Sequence, residues 1–131
     1  AATVINYCHS TLDGLRAPNR DDGIVTGAMH AYGEAVGFLS GWKAVPPSQR
    51  RITDAQIDEL LGLLRAPYDQ TANAQSYLFL SQSSVTAQLF RLDGRDVPDT
   101  GVIERLAQIY GFSNQEVEDF RRNWVNVQNR R

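Results

Sequence analysis

The stretch Ile52-Thr53-Asp54-Ala55-Gln56-Ile57-Asp58-Glu59-Leu60-Leu61 decides the fold class. Its first half is a helix start written in side chains. The Thr53 hydroxyl can accept the third backbone N–H of a helix, and the Gln56 side chain can reach back to the N–H of Thr53, which makes a capping box. Ile52 and Ile57 stand where a hydrophobic staple would close over that box. Ile57, Leu60, Leu61 and Leu64 then recur at three- and four-residue spacing, the signature of one helix face. Pro67 stops the run, because the residue before a proline is pushed out of the helical region.

The same grammar continues toward the C-terminus. A second helix of this half can start after Asp69 and run to about Phe79. Ser81 caps a third, Ser81–Arg91, with Leu80 and Val85 as its staple and Val85, Leu89 and Leu92 inward. Asp99 reads as the cap of a fourth helix, with Val102, Ile103, Leu106 and Tyr110 inward. Gly111 suits the left-handed residue that closes it. Ser113 and Glu116 form another capping box, flanked by Phe112 and Val117, and open a fifth helix carrying Val117, Phe120, Trp124 and Val127.

Toward the N-terminus, Thr3–Arg16 is predicted as a short helix using Ile5, Cys8, Leu12 and Leu15. Asp21 caps a longer one over Asp22–Val45, ended by Pro46-Pro47. Val25, Met29, Tyr32, Val36 and Leu39 make one apolar stripe on it, a candidate dimer or partner interface. Gly27, Ala31, Ala35 and Gly37 are small enough to let another helix approach. No segment alternates with the period of a strand. The fold is expected to be all-α, with a helical extension over 1–47, for dimerisation or partner binding, and a five-helix domain over 48–131.

Composition narrows the function classes. Apolar residues are 42% and charged residues 21% of the chain, an ordinary globular balance. No apolar run reaches a membrane span, and Ala1–Tyr7 lacks a basic region followed by an apolar stretch. The single Cys8 fits a reducing compartment, so a cytoplasmic location is expected. Cys8-His9 is too few ligands for a metal centre, which needs three or four. His9, Ser10 and Asp13 contain the residue types of a hydrolytic triad, but no nucleophile elbow accompanies them. We therefore expect no enzyme, no cofactor and no metal.

The joint Tyr77-Leu78-Phe79-Leu80-Ser81 is a short turn between an apolar helix end and a capped helix start. A helix-turn-helix needs such a joint, because its second helix must project polar residues into a major groove. Ser81–Arg91 offers Gln82, Ser83, Ser84, Thr86 and Gln88 at its start, and Gln pairs bidentately with adenine. Leu80-Ser81-Gln82-Ser83-Ser84-Val85-Thr86 resembles the recognition-helix start of the XRE, or phage-repressor-like, regulators. Gly94-Arg95-Asp96-Val97-Pro98 and Ile103–Phe112 resemble the loop and helix that follow it there. The resemblance spans roughly Ile52–Trp124. It implies a repressor-like helix-turn-helix domain, a transcriptional regulator that binds double-stranded DNA; a homodimer or higher oligomer is expected because one acidic module would bind weakly and doubled half-sites recover affinity. It implies that Gln82, Ser83, Thr86 and Ala87 face bases, that Gln70 or Thr71 touches a phosphate, and that Arg95 adds a backbone contact, with Arg91 alongside.

Charge pulls the other way. The formal net charge is −2, whereas a DNA binder usually carries a basic footprint. From Ile52 onward the basic residues are all arginine, and Asp and Glu outnumber them. Arg91 and Arg95 could instead pair with Asp93 and Asp96. Net acidity favours the alternative, a protein-interaction or assembly module built on a helix-turn-helix scaffold that no longer reads DNA.

Overall fold

The computed structural model describes residues 1–17, 21–64, 93–94 and 101–122, with the backbone alone at Asp22 and Val25. Among the described residues the protein is all-helical: α1 Ala2–Leu15, α2 Asp22–Gly41, α3 Asp54–Leu63, α4 Val102–Tyr110 and α5 Asn114–Arg122. The helices expected from Asp69 to Phe79 and over Ser81–Arg91 lie outside the described residues.

The local signals explain most of the boundaries. Asp21 Oδ1 accepts from the Ile24 N–H at 2.8 Å and starts α2. α2 ends at Gly41 rather than Val45, tightening into a 3-10 turn at Trp42–Ala44. Val45 then turns extended, as a residue before proline must. The capping box of α3 is complete: Gln56 N–H donates to Thr53 Oγ1 at 3.1 Å, and Thr53 N–H donates to Gln56 Oε1 at 2.9 Å. Ser113 and Glu116 repeat it at the start of α5, at 3.1 and 3.3 Å. Gly111 is left-handed at φ 72°, and the Phe112 N–H reaches back to the Ala107 carbonyl at 2.9 Å.

One start differs. α4 begins at Val102 with Gly101 as its N-cap and no side-chain cap, so Asp99 does not hold that position. Gly101 is buried against Gly94, whose φ is +72°. A Cβ on Gly94 would stand 2.9 Å from the Gly101 nitrogen. Two backbones meet there with no room for side chains, and the helix starts where that contact places it.

α1 lies at the centre. Val4, Ile5, Cys8, Leu12 and Leu15 share one apolar core with Ala28, Tyr32, Ala35 and Leu39 of α2, Ile57, Leu60 and Leu61 of α3, Val102, Ile103 and Leu106 of α4, and Phe120 of α5. The segments 1–47 and 48–131 thus contribute to the same core. α1 and α2 pack along a small-residue seam, where an added Cβ on Gly14 would sit 2.8 Å from Ala28 Cβ.

Side chains also stitch the helices together. Arg50 donates to the Val45 carbonyl at 2.9 Å and the Ile52 carbonyl at 2.6 Å, and pairs with Asp54. It therefore shapes the link that carries the chain from α2 into α3. Arg105 of α4 forks onto Glu59 of α3 at 2.8 and 3.2 Å. Asn6 of α1 donates to the Phe120 carbonyl of α5 at 2.7 Å.

Replacing Gly14 with Ala is expected to destabilise the fold by about 1–3 kcal/mol, because the new methyl overpacks the seam. Chemical denaturation checks it; an unchanged or raised midpoint would mean that α1 and α2 can part without cost.

Candidate functional site

The residues expected to contact DNA, namely Gln70, Thr71, Gln82, Ser83, Thr86, Ala87, Arg91 and Arg95, lie outside the described residues. The expected partner stripe is placed, with a different occupant. Tyr32 is 5% exposed and Leu39 0%, both inside the chain's own core. Met29 and Val36 are half-buried against that core, and Val25 is described by its backbone alone. The stripe is covered from within because α1 and α3 fill the groove it offers. Tyr32 even donates its buried hydroxyl to the Leu64 carbonyl at the end of α3, at 2.8 Å.

What α2 turns outward is its other side. Phe38 is 43% exposed, an uncommon state for so large an apolar side chain here. It stacks on Tyr7 of α1 with ring centroids 5.9 Å apart and planes 21° from parallel. Glu34, Gly37, Phe38, Gly41 and Trp42 line a shallow groove of about 420 Å³. Gly33 continues the ridge of Gly37 and Gly41 at four-residue spacing, and a Cβ at any of the three would meet nothing. The chain's own packing therefore does not demand glycine there.

A second depression, about 690 Å³, opens between α1, α4, α5 and the turn at Asp93. Its polar lining includes His9, Asp93, Glu104, Gln108, Glu118 and Arg121, interleaved with Ile103, Phe112 and Val117. The charged groups are mostly committed to structure. Asp93 holds Arg16 at 2.9 Å, and Arg121 holds Asp13 at 2.6 Å and Glu118 at 3.2 Å. His9, 3% exposed, is bonded through Nε2 to the Val117 carbonyl at 3.1 Å. Burial pushes its imidazole below the ordinary 6.5, and the nearby Arg121 guanidinium pushes the same way; the Val117 hydrogen bond, Glu118 and Asp13 oppose.

These bonds decide the chemistry. His9 Nε2 serves Val117 and Asp13 serves Arg121, so neither is directed to Ser10, which is exposed. Cys8 is fully buried, and burial pushes its thiol up to about 12. Among the described residues, no three His, Cys, Asp or Glu side chains group as metal ligands. No helix there is long and apolar enough to cross a membrane.

The described cations are largely engaged as well. Arg16, Lys43, Arg50, Arg105 and Arg121 each pair with a carboxylate. Sequence alone could not locate these pairs, since four of the five partners come from a different helix or turn. No protein-family model, curated protein or solved structure matches the chain.

Cys8 is expected to resist alkylation in the folded protein at neutral pH and to react only on unfolding, because the thiolate is the nucleophile and neither it nor the reagent has access. Thiol titration in native and denaturing buffer checks this; rapid native labelling would contradict the placement of α1 in the core.

Proposed function

We propose that this chain is a helical protein-interaction module that pairs with a second copy of itself through the outer face of α2. The observation that carries the reading is Phe38, left 43% exposed beside the ridge of Gly33, Gly37 and Gly41. Each glycine inside an exposed helix costs about 1 kcal/mol relative to alanine. Three of them on one face make sense when another backbone comes close. Phe38 supplies the complementary projection. A face that carries both a ridge without side chains and a projecting ring can be complementary to itself about a two-fold axis. The engaged cations support a protein partner over a polyanion, since few described positive charges are left to meet phosphate.

Sedimentation analysis is expected to show a concentration-dependent dimer, and Phe38→Glu is expected to yield a monomer of unchanged helicity. A native chain that stays monomeric up to millimolar concentration would sink the reading, and so would a Phe38→Glu variant that dimerises as well as the native chain.

A second reading keeps the double-stranded DNA regulator, with Ser81–Arg91 in the major groove. Its support is the motif resemblance together with Gly94 and Gly111, both left-handed where the resembling family has its loop glycine and its helix-ending glycine. Under this reading an electrophoretic titration at low salt shows a retarded duplex, and Gln82→Ala with Ser83→Ala weakens it. The interaction-module reading expects no retardation at any concentration, so one experiment separates the two.

A further inference from the structure

We infer that His9 is an acid-sensitive latch: neutral, it ties α1 to α5 through the Val117 carbonyl, and protonated, it lets α5 leave the core. The bond at 3.1 Å to a carbonyl requires Nε2 to carry the proton. Nδ1 is then a bare acceptor, and it is buried with no hydrogen-bond partner. An acceptor tolerates that position better than a donor does. Protonation converts Nδ1 into an N–H donor facing no acceptor, and adds a positive charge to a residue 3% exposed.

The surrounding charges do not rescue the cation. On α1 the nearest carboxylate is Asp13, and on α5 it is Glu118; Arg121 of α5 is bonded to both. Asp93 and Glu104 line the same depression from the turn and from α4, and Asp93 holds Arg16. The Arg121 charge itself repels a protonated ring. Burial and that repulsion together outweigh the carboxylates, so the folded-state imidazole titrates below its ordinary 6.5.

α5 is suited to local release. Among the described residues it spans Asn114–Arg122, and of those side chains only Phe120 is fully buried. It is held, among the described residues, by that ring, by Asn6 and His9 on its carbonyls, and by the exposed Arg121–Asp13 pair. Elements with few buried contacts open at lower free energy than the rest of a fold. Release uncovers Phe120 and the partly buried Phe112 and Val117, which lie edge-on and alongside it.

The sign follows from linkage. With α5 released, His9 regains its ordinary 6.5; with α5 docked it titrates lower. The latch is fully effective above 6.5, weakens as pH falls between those two values, and changes no further below the lower one.

The test is amide hydrogen exchange of the full chain from about pH 7.5 to about pH 5, corrected for intrinsic rates, the window in which a histidine near its ordinary value changes charge. It is run on the native protein and on His9→Gln, which keeps a neutral N–H donor but does not titrate. We expect α5 amides of the native chain to lose protection by up to about tenfold per pH unit below 6.5, with α2 amides unaffected and α5 of His9→Gln flat. Equal loss in every helix, the same α5 loss in His9→Gln, or no loss at all would overturn the inference. If His9→Gln fails to fold, ¹⁵N NMR of the native imidazoles decides. His9 protonated on Nε2 at neutral pH, and titrating below 6.5 where the loss of α5 protection levels off, upholds the latch. Titration at or above 6.5, or away from the pH at which the loss levels off, overturns it.

Discussion

The contact between Gly14 and Ala28 sets how closely α1 can lie against α2, and that depth governs the rest. α1 places Ile5, Cys8, Leu12 and Leu15 in the core that α2, α3, α4 and α5 share. Interiors are packed like crystals, so one added methyl at this seam must be absorbed by shifting helices rather than by slack. A helix so central has few outward positions left. Ser10, Asp13 and Arg16 face solvent, and the last two become charged anchors for α5 and for the turn at Asp93.

Electrostatics here serve assembly of the fold more than display. Arg105 bridges α4 to α3, Lys43 reaches from the turn after α2 to Asp58 of α3, and Arg121 joins α5 to α1. Most such pairs are solvent-exposed and individually contribute little. Their combined effect is on the field: each cation is seen from outside together with its carboxylate. Arg50 differs, because its guanidinium is largely buried and bonded to two carbonyls as well as to Asp54. It organises backbone that has no helix of its own to satisfy it.

How legible this was in the sequence depended on range. The two capping boxes, Asp21 and Gly111 were readable because cap and helix lie within a few residues of each other. The apolar face of α1 was readable from its spacing. Asp99 misled because the start of α4 is decided by two glycine backbones meeting, a contact that no local pattern reveals. The stripe through Tyr32 and Leu39 was legible as an apolar face, but periodicity says that a face is covered and not by what. Its cover is α1 and α3, and the opposite side, with Phe38, faces outward. His9 stood out in the sequence only as a metal ligand beside Cys8 and as a triad member beside Ser10 and Asp13, and neither reading concerns α5. The role of His9 rests on Val117, 108 residues away, and sequence reading has no signal at that distance.

That same separation has a consequence for how the chain reaches its final form. Asn6 and Phe120 are 114 positions apart, yet they are bonded. During synthesis α1 and α2 emerge early and can close on each other through nearby contacts. The α4 and α5 side of α1 must wait until nearly all of the described chain has been made. Such non-local closure slows folding, because the loop entropy is spent before the contact rewards it. Meanwhile Val4, Ile5 and Leu12 sit on a helix hairpin that is only half covered. The central position that makes α1 the organiser of the finished protein also leaves part of its apolar surface uncovered until late in synthesis, when exposed apolar surface favours aggregation.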